Sequence, residues 1–250
     1  MPSFYVDPKD FTENRAVLKG AEARHVRNVF RLGPGESIVL FDGRGHQYKG
    51  EIMSAGSVVT IQLLEKETIP PERFEITLAQ ACLKSDKMEL IFQKATELGV
   101  SKILPFFSSR TVPKDPGAKL ERWQKIILAA AKQSGRATLP EIMSPCPMPE
   151  LLTQFDKTTV RLLLSERRTK RHLKEILRES AAGTSLRNII PFRIEKIVGL
   201  IGPEGGFSDE EMDLAEEAGF IPVSLGRRIL RAETAAITFL SVLQYEMGTL

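Results

Sequence analysis

From Phe74 onwards, short apolar runs alternate with segments whose apolar residues recur every three or four positions. Phe74–Leu83, Val100–Phe107, Val160–Leu164, Ile194–Ile201 and Ile221–Leu225 read as buried strands. Ser85–Leu98, closed by Gly99, reads as a helix, as do Lys119–Ser134, Lys170–Glu179, Ser208–Ala218 and Glu233–Met247. Trp123, Ile126, Ile127 and Ala130 share one face of the second of these. The alternation predicts an α/β domain with a mostly parallel sheet. Residues 1–70 follow a different rule. Glu36–Phe41, Tyr48–Ile52 and Ser57–Leu64 are short strand-like runs separated by glycine-bearing turns such as Asp42-Gly43-Arg44-Gly45, which predicts a small β-barrel. One helix is expected inside it, Ala21–Phe30, with Ala23, Val26 and Phe30 at helical spacing. The two prolines of Thr68-Ile69-Pro70-Pro71-Glu72-Arg73 disfavour helix and central strand alike, so the chain is divided into domains at 1–70 and 73–250.

Two glycine-bearing loops each follow a predicted strand: Ile201-Gly202-Pro203-Glu204-Gly205-Gly206 and Leu225-Gly226-Arg227-Arg228-Ile229-Leu230-Arg231. Glycine lets main-chain groups approach a ligand closely, and loops at the carboxyl ends of strands in an open α/β sheet are where small molecules bind. No G-x-x-x-x-G-K-[ST] loop, no strand-borne G-x-G-x-x-G and no G-x-S-x-G elbow is present, which removes the main support for triphosphatase, dinucleotide and serine-hydrolase chemistry. Ser208 with Glu211 forms a capping box, so a helix is expected from about Asp209. Its acidic first turn repels phosphate and favours a neutral or cationic ligand. Two side chains stand out. Glu204 is either a solvated turn residue or a carboxylate placed near a cation or a substrate N–H. Arg231 is either paired with Glu204 or Glu233, or aimed at a ligand carbonyl.

Composition narrows the remaining choices little. Hydrophobic residues make up 42% and charged residues 27%, and the net charge is +3. These values fit a globular protein and permit a nucleic-acid partner without demanding one. No apolar run is long enough to span a bilayer, and the N-terminus lacks a signal-peptide pattern. Cys82 and Cys146 have no metal-ligand spacing and His25, His46 and His172 do not cluster, so neither a disulfide framework nor a metal site is expected, and a cytoplasmic setting fits best. Arg24, His25, Arg27 and Arg31 lie on or just beyond the predicted N-terminal helix, where they form either a solvated face or an edge that contacts phosphates. The densest basic run, Arg167–Lys174, directly follows a strand and poses the same alternative.

The chain resembles the SPOUT superfamily of knotted methyltransferases, and more narrowly the RsmE family of bacterial 16S ribosomal RNA uracil-N3 methyltransferases. The likeness rests on Gly202–Ser208 and Leu225–Ala235. It extends to His25-Val26-Arg27-Asn28-Val29-Phe30-Arg31, to Lys84–Glu89 with Lys94–Val100, to Ser109-Arg110-Thr111-Val112 and to Gln133-Ser134-Gly135-Arg136. Lys132, where an acidic residue is expected, and Ala232, where threonine is common, depart from the pattern.

The resemblance implies a deep trefoil knot in the C-terminal α/β domain and a PUA-like, RNA-binding N-terminal barrel. It implies a homodimer acting on 16S ribosomal RNA of the small subunit, with no metal and no membrane. S-adenosyl-L-methionine would be held by Leu164 and Ser165, by Leu200, Gly202, Pro203, Gly205 and Gly206, and by Leu225, Gly226, Ile229, Leu230 and Thr234. Uracil N3 is protonated and must lose its proton to react. Arg231 is therefore expected to stabilise the charge that develops, and Glu204 to act as base or to orient a partner. Arg24, His25, Arg27, Arg31, Arg110, Lys114 and Arg136 are the expected RNA contacts. Methylation of a ribose 2′-hydroxyl, and a non-catalytic role in ribosome assembly, are the alternatives.

Overall fold

The computed structural model describes residues 3–111, 120–169, 171–181 and 195–248. The chain forms two compact units, Met1–Pro71 with Leu128–Leu139, and Glu72–Ile127 with Pro140–Leu250.

In the first unit, β1 (Ser3–Tyr5), β2 (Arg15–Leu18), α1 (Gly20–Arg24), β3 (Ser37–Phe41), β4 (His46–Ala55) and β5 (Val59–Thr68) follow in order. The sheet order is β1-β3-β4-β5-β2, parallel at β1/β3 and antiparallel elsewhere. Strand alternation turns Ile38 and Leu40 inward, where they meet Phe4, Leu18, Ile52 and Ile61 in one core. Among the described residues no ladder joins β1 to β2. In this order β1 and β2 stand at the two ends.

The expected helix 21–30 is different. α1 is one short turn, and His25–Phe30 continues it as a π-helix, closed by a Leu32 N–H to Val26 C=O bond of 3.0 Å. Arg31, just after it, has φ 54°, the one non-glycine residue with positive φ among the described residues. Ala23 and Val26 are fully buried, whereas Phe30, at the end of the π-helical turn, is 45% exposed.

The second unit contains β6 (Glu75–Ala81), α2 (Ser85–Glu97), β7 (Lys102–Phe107), α3 (Leu120–Ser134), β8 (Glu141–Ile142), β9 (Cys146–Pro147) and α4 (Met148–Leu152). It continues with β10 (Val160–Leu164), α5 (Leu173–Ala181), β11 (Lys196–Ile201), α6 (Asp209–Glu217), β12 (Ile221–Val223) and α7 (Ala232–Met247). The C-terminal half of α3 belongs to the first unit. All pairings are parallel, in the order β12-β10-β11-β6-β7-β8, with β9 also on β7.

Helices cover both faces of this sheet, and β11 shows how. Val198 and Leu200 join Met212 and Ala215 of α6 in one core. Gly199, between them, points the other way, where a Cβ would stand 2.2 Å from the ring of Phe239 on α7. A second contact fixes α7. Gln244 Nε2 donates to Leu98 C=O at 2.6 Å, where α2 ends and Gly99 turns with φ 76°. The chain thus runs outward to β12 and returns as α7 onto β11 and α2.

Candidate active site

The register aligns Leu162 with Ile221 and Leu163 with Leu200, so β10, β11 and β12 end at one edge of the sheet. Three loops leave that edge together and enclose a cleft of about 430 Å³. Each is held in shape by short-range bonds. Gly206 N–H donates to Pro203 C=O at 2.9 Å with φ 69°, which tightens the first glycine loop. The Phe207 ring lies beneath Gly202, where a Cβ would stand 3.0 Å away. Ser224 Oγ accepts from Gly226 N–H at 3.1 Å and donates to Gly226 C=O at 2.9 Å, and Gly226 adopts φ 141°. Ser165 is buried, its N–H bonded to Val223 C=O at 3.0 Å and its hydroxyl directed to Met212 Sδ at 3.6 Å.

Of the residues expected to hold a cofactor, Leu164, Ser165, Gly202, Pro203, Gly206, Leu225, Gly226, Ile229 and Leu230 line this cleft, together with Glu204 and Arg231. Leu200, Gly205 and Thr234 are not among the lining residues. Leu200 is fully buried in the core below the floor, and Gly205 presents its carbonyl to Arg110 Nη1 at 2.6 Å. Thr234 is exposed in the first turn of α7.

Lys87, from α2, also lines the cleft, and the sequence did not single it out as a functional side chain. Its ammonium lies 3.0 Å from Glu204 and 3.9 Å from Glu233. Lys87 thus pairs with Glu204 and stands near Glu233, whose Oε2 has no hydrogen-bond partner among the described residues. Among the described residues the Arg231 guanidinium has no ion pair or side-chain hydrogen bond. Burial pushes the Glu204 carboxyl up, but hydrogen bonding to its own amide and to Lys87 outweighs this, and its pKa is lowered from the usual glutamate value. A carboxylate held in this way is a weak base, so the pairing favours the orienting role for Glu204 over proton abstraction.

The cleft suits a cationic or zwitterionic ligand of intermediate size. Glu166 and Glu204 offer negative charge, and glycine main chain forms two of its walls. The capping box at Ser208 is formed as expected, and it leaves Asp209 and Glu210 in the first turn of α6. Lys87, Arg167, Arg228 and Arg231 also line the cleft, which supplies positive charge for a polyanionic second substrate. Arg168, from the same basic run, is instead bound to Asp213 at 2.7 Å and lies near Asp209 and Glu216, so α6 absorbs part of that charge. Lys170, in that run, lies outside the described residues.

The expected RNA contacts are dispersed. Arg24 and Arg31 are exposed in the first unit. Arg27 is half-buried, with Nε lacking a partner among the described residues. His25 packs its ring against Phe4 and Phe30. Arg136 is half-buried just after α3, its N–H bonded to Ala131 C=O at 2.9 Å. Arg110 is exposed, and its Nη1 donates to Gly205 C=O, bracing the first glycine loop. Lys114 lies outside the described residues.

Comparison with known proteins adds the following. A family model of the RNA methyltransferase domain matches residues 70–244, and one of the RNA methyltransferase PUA domain matches residues 18–61. The ribosomal RNA small subunit methyltransferase E of a Synechocystis species is 33% identical over 92% of this chain and 73% of its own length. Its namesake from Mesomycoplasma hyopneumoniae is 32% identical, over 96% of this chain and 98% of its own. The crystal structure of a ribosomal RNA small subunit methyltransferase E from Neisseria gonorrhoeae, bound to S-adenosyl methionine, superimposes with a TM-score of 0.84 at 33% identity. That match covers 98% of this chain and 97% of the other.

Proposed function

Since this chain belongs to the ribosomal RNA small subunit methyltransferase E family of RNA methyltransferases, we propose that it methylates N3 of a uracil in 16S ribosomal RNA, using S-adenosylmethionine. The observation that carries this reading is the cleft at the shared end of β10, β11 and β12. Its glycine walls admit close main-chain contact, and beside the Lys87–Glu204 pair Arg231 has no ion pair among the described residues.

When bound, S-adenosylmethionine supplies an electrophilic methyl group on a sulfonium. Gly202–Gly206, Leu225–Leu230 and Leu164–Ser165 would hold it, with Glu166 and Glu204 matching its positive charge. The rest of the chemistry falls to this chain. Uracil N3 gives up its proton to solvent water, and the negative charge left behind spreads to the two flanking carbonyls; N3 would then bond to the methyl carbon as the carbon–sulfur bond breaks and a neutral thioether leaves. Arg231 stabilises that charge with a fixed cation, which lowers the pKa of N3. Glu204 is assigned the orienting role, since its hydrogen bonds to its own amide and to Lys87 lower its basicity. An N3 inside a Watson–Crick pair is blocked, so the target base must be unpaired or turned out of its helix.

The return of α7 from beyond β12 onto β11 supports a trefoil knot in the second unit, which tracing of an experimental map tests. A homodimer is also part of this reading. Tyr245, 72% exposed, stands on α7 beside a groove lined by Arg178, Ser241, Val242 and Glu246, and sedimentation equilibrium tests it. No described helix is long and apolar enough to cross a membrane, and action on ribosomal RNA fits the cytoplasm.

The deciding experiment incubates the protein with small ribosomal subunits lacking the modification and labelled S-adenosylmethionine, then maps the labelled nucleotide by mass spectrometry. N3-methyluridine is the expected product. A ribose 2′-O-methyl product would overturn the choice of target atom, and absence of any methylated product would favour a non-catalytic RNA-binding role.

A further inference from the structure

The first unit carries an aromatic side chain whose exposure its fold does not explain. Among the described phenylalanines Phe30 alone is exposed, and Val29 beside it is 64% exposed. The ring is nonetheless fixed from within. It meets the buried Phe4 ring edge-on at 5.5 Å and the His25 ring at 5.2 Å. Phe4 is capped by Lys132, whose ammonium lies 5.6 Å from its centroid and 2.7 Å from Glu22. The backbone is fixed as well, by the Val26–Leu32 bond and by the left-handed conformation of Arg31.

The surroundings have the charge of a nucleic-acid site. Arg24 and Arg31 are exposed at either end of the turn, and Glu22, the nearby carboxylate, is neutralised by Lys132. A rigid aromatic face between free cations is the arrangement that binds single strands, by base stacking together with phosphate contacts. We propose that Phe30 is a stacking platform for an unpaired nucleobase of the RNA substrate, with Arg24 and Arg31 holding the adjoining phosphates. This rests on the reading of the chain as acting on RNA, and it adds a base-contacting group to a surface otherwise expected to touch only the backbone.

Salt dependence separates the two kinds of interaction, because only those with phosphates release counterions. The test measures binding of fluorescein-labelled oligouridine to the full-length protein over a range of salt concentrations. Phe30→Ala is expected to weaken binding about tenfold, the size of one stacked base, with the slope of log K against log salt unchanged. Phe30→Trp should restore affinity. Phe30→Leu, which keeps apolar packing against Phe4 and His25, should not. Joint replacement of Arg24 and Arg31 by alanine should instead flatten the slope by about 0.7 for each phosphate no longer held.

Wild-type affinity in Phe30→Ala or in Phe30→Leu would overturn the proposal, as would a changed salt slope in either. If Phe30→Ala does not fold, the Trp and Leu variants decide. Calorimetric binding of S-adenosylmethionine should be unaffected in all variants, so failure here leaves the methyl-transfer reading standing. Failure of that reading would show as oligouridine binding by a protein that methylates no nucleotide of small ribosomal subunits.

Discussion

Lys87 and Glu204 stand 117 positions apart in sequence, and their side chains meet at 3.0 Å across the mouth of the cleft. The same ammonium lies 3.9 Å from Glu233, in the first turn of α7. Lys87 rather than Arg231 thus pairs with Glu204, and among the described residues the Arg231 guanidinium has no ion pair.

Arg231→Ala should therefore lower kcat about 100-fold, the usual cost of removing one charge-stabilising donor, with cofactor affinity nearly unchanged. Arg231→Lys should recover little, since an ammonium cannot reproduce the planar fork. Lys87→Met should lower kcat about tenfold by letting Glu204 or Glu233 capture Arg231, and Lys87→Arg should restore it. Steady-state methylation with calorimetric titration of the cofactor separates the two effects. Wild-type kcat in Lys87→Met would refute the sequestering role.

The state of Glu204 makes a prediction about pH. Its carboxyl is held below its usual pKa of 4.5, so it is charged at every higher pH. Glu204→Gln should lower the whole pH–rate profile without moving its acid limb. An acid limb that vanishes in Glu204→Gln would restore this residue as the general base.

Gly199 tests how α7 is seated. A methyl at this position meets the Phe239 ring at 2.2 Å, well inside contact distance. Overpacking of this kind costs about 2 kcal/mol. Gly199→Ala should therefore lower the urea midpoint and loosen cofactor binding together, and Phe239→Leu in the same chain should return part of the loss. Purely additive effects of the two changes would show that the clash is relieved elsewhere.

In the first unit Asp42 is nearly buried. Burial raises its pKa, but the Arg44 and His46 amides, at 2.7 and 3.1 Å, and the His46 ring, at 2.7 Å, outweigh it, and the net shift is downward. A depressed carboxyl contributes stability that is present above its unfolded pKa, near 3.8, and is lost as pH falls through the folded value. Asp42→Asn should cost about 2 kcal/mol at pH 7, and the difference from wild type should close progressively below pH 3.8. A gap that persists in acid would point to shape rather than charge.

Much of this was legible in the residues. Apolar runs and period-3.6 patterning located β6, β7, β10, β11 and β12 and the longer helices, though not β8, β9 or α4, and the Ser208–Glu211 box marked the start of α6 because its chemistry is local. Gly202–Gly206 and Gly226 announced themselves by their backbone freedom. What was not legible depends on which surfaces meet. The apolar stripe of α3 is plain in sequence, but nothing in it says that Leu128–Leu139 joins the first unit. Lys87 is one charge among many on α2 until the sheet brings the Glu204 loop to it. The π-helical turn at His25–Phe30 differs from an α-helix by one hydrogen-bond step, and apolar spacing is too coarse a signal to register that.

The seating of α7 on Gly199 also bears on the order of assembly. Arg231 is the residue that caps α7, and α7 is synthesised after every strand of the sheet. A nascent chain can therefore build the floor of the cleft, and the Lys87–Glu204 contact, well before the guanidinium has a fixed place. The placing of Arg231 thus depends on the docking of one helix into a socket that a single missing methyl group leaves open.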